Sequence, residues 1–345
     1  MLERKEWHTF VVRNSEQAII RFLSILRATE PPQYVSGEVL ARRAGVSRSA
    51  VWKQVRRLRS YGYGIDSMRG AGYRLARNTQ SPVPWELKNR LKTRTLGRDV
   101  MYLGSTDSTQ SIALSMANKK LRAADGLVVI ADRQSSGRGR LGRKWLSPQG
   151  GLWFSVLIRP KMATAQVTVL PFVAAIAVRE AIVKCTGIEP RLKWPNDIMI
   201  SGKKVAGILL DISAEAESVN YAVIGVGINA NIDASMLAPQ VTSLHGITSL
   251  RTELGHEVSR LDLVATMLES LEYYLDILAK DGPTEIISAW KKHADMLGRR
   301  VEILSNDGPN YDGIAFDLEE DGSLLLMLDT GKKIGITSGD VRVRY

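Results

Sequence analysis

Between two strand-like apolar runs, Leu127–Ala131 and Leu152–Ile158, the nine residues Gly137–Trp145 carry four cations and three glycines. Short apolar runs bounded by turn residues read as buried strands. Clustered charge cannot follow them into a core, so a mobile basic loop must spring from a buried strand. Such a loop suits a polyanion, because arginine forks can close on phosphate and Trp145 offers a flat face to a base. A solvated basic turn is the plain alternative. The run Gly137-x-Gly139-x-x-Gly142 also spells a dinucleotide fingerprint, but no apolar-periodic helix opens at its last glycine. A P-loop fails too, since Arg143 displaces its lysine by one residue, to Lys144, and Trp145 then stands in place of its Ser or Thr.

A chain of 345 residues allows two or three domains. Its single cysteine, Cys185, excludes an internal disulfide framework and is expected to pack rather than react. The start, Met1–Glu6, lacks an apolar signal region, and no eighteen apolar residues run together. The expected location is cytoplasmic, without a membrane partner. His8, His245, His256 and His293 lie scattered, so no His/Cys metal site is expected. The net charge is +11, and most of the excess is N-terminal: fifteen Lys/Arg face six Asp/Glu between Met1 and Asn78. That asymmetry favours nucleic acid as a partner over a merely soluble basic surface.

Within residues 13–78 the pattern is that of a winged helix-turn-helix domain. Ala18, Ile19, Phe22, Leu23 and Leu26 set a helix from Ser15 to Leu26, ended by Pro31-Pro32. Ser36–Ala44 reads as a second helix, Gly45–Ser47 as the turn, and Ser47 as the cap of a third helix buried on Val51, Val55 and Leu58. The predicted DNA-facing residues are Ser47, Arg48, Ser49, Trp52, Lys53 and Arg56, with Arg69 at the tip of a wing between Ile65 and Leu75. A winged helix that binds protein is the alternative.

Asn78–Pro84 is polar and proline-punctuated and marks a boundary. Beyond it, residues 84–294 alternate strands and helices. Val100–Leu103 is a strand, Ser105–Ser111 a polar turn and Ile112–Ala117 a helix, while Ala163–Lys184 is one long apolar helix. Lys193–Asp197 compresses a cation, a rigid turn, an amide and a carboxylate ahead of a strand. Ser201–Lys204 turns a hairpin that places Lys204 at the start of a buried strand, and Tyr221–Asn229 returns as a glycine-bearing strand ending in an amide that can pair with an adenine edge. The expected core is a mixed sheet with helices on one side.

Four motifs in this order and spacing, Gly-Arg-Gly-Arg-x-Gly-Arg-Lys-Trp at 137–145, Lys-Trp-Pro-Asn-Asp at 193–197, Lys204 before Ala206-Gly207-Ile208, and Gly-Val-Gly-Ile-Asn at 225–229, resemble the biotin protein ligases. The N-terminal Ser47-Arg48-x-Ala50-Val51 turn and Gly70-x-Gly72-Tyr73 wing are similar to the DNA-binding arm of the bifunctional members, which also repress biotin-synthesis genes. The resemblance implies a multi-domain α/β (α+β) chain: a winged helix, a class II synthetase-like mixed-sheet domain, and an SH3-like β-barrel over 295–345. It implies two steps, in which biotin's carboxylate attacks the α-phosphate of MgATP to give biotinyl-5′-AMP, and a lysine of a biotin carboxyl carrier domain then displaces AMP. Attack of one anion on another needs charge neutralised in flight, and the resemblance assigns that task to Arg138, Arg140 and Lys204.

The resemblance further implies biotin contacts at Ser108, Thr109, Gln110, Gln134, Arg138, Gly139, Arg140 and Lys204. Gln110 stands where the family usually carries Asn. Adenylate contacts fall on Arg140, Arg143, Lys144, Trp145, Asn196, Asp197 and Asn229, with Mg²⁺ near Asp197. Asp197 either helps deprotonate the incoming lysine or shapes the turn. Leu141 replaces an arginine common in repressor-type members. Operator DNA, the carrier domain and a ligand-promoted homodimer are the implied partners. Two alternatives stay open: a biotin-sensing regulator without transfer, disfavoured by the intact Arg138, Arg140 and Lys204, and a ligase for another acyl group such as lipoate. At the C-terminus, Leu261–Leu278 and Ile286–His293 read as helices, and the short strands after Leu297 as a small barrel or an inert cap.

Overall fold

A computed structural model describes residues 6–30, 32–118, 124–215, 218–237, 246–304 and 309–343. Pro31, His245, Arg344 and Tyr345 lie outside them, so Pro31's role as a helix stop and the end of the 295–345 domain are not described. The chain divides into two units, one ending at Glu86 and one beginning at Leu87.

In the first unit, helices α1 (Glu6–Arg27), α2 (Gly37–Ala44) and α3 (Arg48–Ser60) precede the hairpin of β1 (Gly64–Met68) and β2 (Gly72–Arg77). The first helix starts earlier than its apolar stripe suggests, since no glycine or proline interrupts Glu6–Ser15. The next two begin where hydroxyls cap them: Ser36 Oγ accepts from Val39 N and Ser47 Oγ from Ala50 N, both at 3.2 Å. Gly45, at φ 68°, ends α2 in the left-handed conformation that glycine adopts without penalty. Ile19, Phe22, Leu23, Leu26, Val51, Val55 and Leu58 are buried, as the helical spacing foretold, with Ala18 half-buried and Leu40 joining them. Tyr73 of β2 exchanges backbone bonds with Val35 at 2.8 and 2.9 Å. Gly72, at φ 118°, makes that approach possible: a Cβ there would lie 2.0 Å from Val35 O.

The stretch Asn78–Pro84 is no exposed linker. Thr79, Ser81 and Val83 are buried, and Thr79 Oγ1 donates to Tyr61 O while accepting from Ser81 N. Thr79 satisfies backbone groups instead of meeting solvent, while Asn78 and Gln80 stay exposed, and the division between the two units falls later, inside α4 (Pro84–Arg90).

The second unit is built on a seven-stranded mixed sheet. Its strands are β3 (Val100–Leu103), β4 (Val128–Ala131), β5 (Leu152–Ile158), β6 (Arg191–Lys193), β7 (Asp197–Ile200), β8 (Lys203–Glu215) and β9 (Ser218–Ile228), in the order β3-β4-β5-β9-β8-β7-β6. Only β3 and β4 run parallel among these neighbours. Period-two alternation sends Ile130, Phe154, Val156, Ile208, Ile224 and Val226 to one face. There they pack against α6 (Leu170–Thr186), with α9 (Arg260–Asp281) and α10 (Pro283–Lys291) in the same core.

The other face is covered as well, contrary to the expectation of helices on one side. Ala113 and Ala117 of α5 (Thr109–Asn118) pack on Val129, Leu157 and Val223, because these strands carry apolar residues on both faces. The long apolar segment also divides, into a 3₁₀ stretch Thr164–Val169 and then α6, whose start is set by Pro171 and whose end by Gly187 at φ 74°. Cys185 sits 3.8 Å from Thr266 Oγ1, and burial pushes its thiol pKa up.

Two short helices, α7 (Ala234–Leu237) and α8 (Leu250–Leu254), lie between β9 and α9. After α10 comes an antiparallel sheet of β10 (Arg300–Leu304), β11 (Tyr311–Leu318), β12 (Leu324–Met327), β13 (Lys333–Ile336) and β14 (Asp340–Val343), in the order β13-β12-β11-β10-β14. The last strand has no counterpart in the sequence reading. This sheet shares one continuous core with α6 and α9 through Val301, Ile303, Leu324 and Leu326. Trp194 Nε1 donates to Gly322 O at 2.9 Å, tying the sheet's turn to the β6–β7 connection.

Gly72→Ala should destabilise the first unit by about 1–3 kcal/mol, since it adds both left-handed strain and a clash with Val35. Urea denaturation followed by circular dichroism checks this, and an unchanged midpoint would mean that the wing does not depend on the close approach.

Candidate active site

The floor of the site is the α5-facing side of β5, β8 and β9. Register places Trp153, Gly227 and Gly207 in one row, Ser155, Gly225 and Leu209 in the next, and Leu157, Val223 and Asp211 in the third. Three glycines leave this floor bare, and other side chains lie down on it. A Cβ on Gly227 would sit 2.6 Å from Trp145 Nε1, and one on Gly225 2.6 Å from Gln110 Oε1. The Trp145 indole thus rests on Gly207 and Gly227, with Lys204 Nζ 4.9 Å from its ring centre.

The basic loop is folded as a narrow hairpin. Gln134 bridges to Ser147 and Arg138 to Lys144, and Gly139 N donates to Arg143 O at 2.8 Å. Gly137 permits this folding, because a Cβ there would lie 2.3 Å from Trp145 O. At the tip Leu141 adopts φ 56°, unusual for a branched side chain, and is exposed. Arg138 Nη1 stands 3.9 Å from Asp211 Oδ2. Arg140 Nη1 donates to Asn196 Oδ1 at 3.2 Å, and Asn196 Nδ2 in turn to Ile208 O at 2.6 Å. Burial lowers the Arg140 pKa, opposed by Asp340 and Asp197. Arg143 pairs with Asp340 of β14 at 2.5 Å.

Lys204 Nζ meets Asp197 Oδ1 at 2.5 Å, both side chains being largely buried. Asp197 faces Lys193 across the β6–β7 pair. Lys193 is only 7% exposed. Burial pushes its ammonium down to about 8; Asp197 opposes that shift, Lys204 adds to it and Asp340 opposes it. Around the Trp145 end, the cations Arg140, Arg143, Lys193 and Lys204 thus face the carboxylates Asp197 and Asp340, while Arg138 faces Asp211 further along the floor, and the surplus positive charge suits a polyphosphate.

At the opposite end, Gln134 Oε1 accepts from Thr109 N at 2.8 Å and Thr109 Oγ1 at 3.1 Å, while its Nε2 donates to Ser147 Oγ at 2.9 Å. Thr109 Oγ1 also lies 2.9 Å from Ser155 Oγ. Ser108 Oγ accepts from Ser111 N at 3.3 Å, a helix cap. Gln110 turns to Asp211 and Val223 O. Lys144 is exposed on the loop. Asn229 is buried and spends one Nδ2 proton on Thr248 O at 2.9 Å, leaving Oδ1 and a second proton for a base edge. Among the described residues no three His, Cys, Asp or Glu side chains gather as a metal site.

Asp211 and Ser155 entered the site unannounced, although strand alternation aligns them with Gly207 and Gly225. Asp340 had no local signal at all, since it arrives from a strand distant in sequence.

In the first unit, Ser47, Arg48, Ser49, Trp52, Lys53 and Arg56 of the α3 region are exposed, as is Arg69 at the wing tip. The Arg56 guanidinium lies over the Trp52 ring at 5.0 Å, and Ser47 commits its hydroxyl to the cap. The face foreseen for a DNA groove is open and basic.

Residues 102–229 match the biotin/lipoate A/B protein ligase family, residues 17–74 an HTH domain and residues 296–344 the biotin protein ligase C terminal domain. The chain is similar to the bifunctional ligase/repressor BirA of Bacillus subtilis, 34% identical over 312 residues that cover 90% of this chain and 94% of that protein. The Escherichia coli protein of the same name is 31% identical over 300 residues, covering 86% and 89%. Among solved structures, the biotin protein ligase from Aquifex aeolicus in complex with biotin and ATP is 30% identical with a TM-score of 0.60, covering 72% of this chain and 99% of that one. Similarity that runs almost end to end, through the HTH domain as well as the ligase domains, makes this chain a member of the bifunctional biotin protein ligase/repressor family.

Proposed function

We propose that the chain is an ATP-dependent biotin protein ligase that also represses transcription through its winged helix. One observation carries the catalytic half: the Arg138–Arg140 loop, the Lys204–Asp197 pair and the Trp145 indole converge on one glycine-floored sheet face. Biotin's carboxylate forms a bond to the α-phosphorus of ATP, pyrophosphate leaves, and a carrier lysine then attacks the acyl carbon and releases AMP. Arg138, Arg140 and Lys204 neutralise the charge that builds up on the α-phosphate. Trp145 covers the site and offers the adenine a flat face, beside Asn229. Thr109, Gln110 and Gln134 take the biotin head, and Gly139 lets the loop backbone approach it.

Asn196 and Asp197 lie on the phosphate side with Arg143 and Lys144. Mg²⁺ would arrive on the phosphates, and Asp197 is the carboxylate placed to share it, a hard oxygen donor of the kind that ion takes. The ion would supply charge neutralisation there. Lys193 joins the phosphate-side cations on this reading, and Asp340 orients Arg143. We read residues 13–78 as the DNA-binding domain, 84–294 as the catalytic domain and 295–345 as an SH3-like domain. A carrier domain, a two-half-site operator and a ligand-promoted homodimer are the partners, acting in the cytoplasm. Because the matched family spans lipoate ligases, another acyl acid is the second reading.

Biotin-dependent ATP–pyrophosphate exchange tests the catalytic reading. Arg138→Ala and Lys204→Ala should each lower it by about 10²–10³-fold, and a folded wild type that exchanges with lipoate but not biotin would select the second reading. The KM for ATP should rise as pH climbs through about 8, where free Lys193 loses its proton, and stay flat in Lys193→Arg. A wild-type KM without that step would remove Lys193 from the phosphate side. For the repressor half, Arg69→Ala should weaken operator binding alike across sequences and reduce the salt slope by about 1. Filter binding across a salt series reads both.

A further inference from the structure

The basic loop leaves the sheet between β4 and β5. The last pair of that ladder joins Ala131 to Trp153, and the first bridge inside the loop joins Gln134 to Ser147. Between these two links a guanidinium joins the stems. Arg260 Nη1 donates to Asp132 Oδ1 at 2.9 Å on one stem and to Gly151 O at 3.2 Å on the other. Tyr102 OH, from β3, donates to the same Asp132 oxygen at 2.7 Å. The Arg260 and Asp132 side chains are each only 14% exposed.

Local rules argue against an arginine here. Arg260 is the first residue of α9, directly after its cap Ser259, and a cation in the first turn opposes the helix dipole. A buried ion pair is also weak support for stability, because desolvation offsets much of its attraction; fixing one arrangement among several is its best-attested use. A residue that breaks a local rule points to a task set by the tertiary structure. The two stems that Arg260 joins lead to Arg138, Arg140, Arg143 and Trp145.

We propose that Arg260 is a positioning residue, which clamps the two stems at the base of the basic loop and so sets where its cations and Trp145 stand over the glycine floor. Nη1 carries two hydrogens in the rigid guanidinium plane, one for each acceptor, and this fixes the separation of Asp132 from Gly151. Tyr102 holds the carboxylate end of the clamp from a third strand. Arg260 acts through the loop and takes no part in the chemistry. The consequence for catalysis rests on the ligase reading above; the clamp itself does not. The competing role for Arg260 is a structural tie between α9 and the sheet, which would leave the loop to its own bridges.

Hydrogen exchange read by mass spectrometry, on the full chain without ligand, separates the two. Peptides covering 137–147 report the amides of Gly139, Arg143 and Trp145, each bonded within the loop. In Arg260→Met these should exchange about tenfold faster or more than in the wild type, while the β5–β9 ladder holds. A structural tie would instead loosen the first turn of α9, where Leu263 N donates to Ser259 O, and leave the loop amides unchanged; that result would overturn the proposal. Because Arg260→Met leaves Asp132 buried without its cation, Asp132→Asn/Arg260→Met is measured beside it. The double variant should show the same loosened loop, and a return to wild-type protection would mean that Arg260 only neutralises Asp132, overturning the clamp. If Arg260→Met does not melt cooperatively, the double variant carries the test with the same two outcomes. Biotin-dependent ATP–pyrophosphate exchange by the folded variant should fall about tenfold to a hundredfold. Full exchange despite a loosened loop would overturn the positioning role. A wild type that fails to exchange with biotin would overturn the ligase reading and leave the clamp to be decided by the amides.

Discussion

The site depends on holding like charges together before any ligand arrives. Arg138, Arg140, Arg143, Lys193 and Lys204 would repel one another, and burial of Arg140 and Lys193 sharpens the problem by removing water that would screen them. Carboxylates from three separate strands relieve it: Asp197 of β7 at Lys204, Asp211 of β8 near Arg138, and Asp340 of β14 at Arg143. The neutralisation is partial. A polyphosphate entering this field finds positive charge already oriented, which spares the reorganisation that water would demand.

The same arrangement explains why the C-terminal sheet belongs to the catalytic unit. It shares its core with α6 and α9, and Trp194 is bonded to its Gly322 turn. That packing brings Asp340 to the basic loop and within electrostatic reach of Arg140 and Lys193.

Backbone economy shapes the other side of the site. Glycines at 207, 225 and 227 strip one sheet face of side chains, so Trp145 and Gln110 can lie directly over the strands. The loop that delivers Trp145 is itself pinned, at one end by the Gln134 amide between Thr109 and Ser147, and along its length by the Arg138–Lys144 bridge. Seen as isolated sequence, four cations among glycines suggest free motion. In the structure its backbone groups are paired across the hairpin.

Much of this protein was legible in its residues because the governing rules are local. Periodicity set the stripe Ile19, Phe22, Leu23 and Leu26, and a hydroxyl cap marked α3. The order of the basic loop, Lys193–Asp197, Lys204 and Gly225–Asn229 carried the family resemblance. What the tertiary structure alone decided is every relation between distant residues. Whether Asn78–Pro84 packs or swings depends on Tyr61, which side α5 covers depends on strands on either side of it in sequence, and which carboxylate meets Arg143 depends on how β14 closes against β10. Hydrophobic patterning fixes the period of a segment but not its partner. Partner choice is settled only when apolar faces and opposite charges from remote segments are buried together.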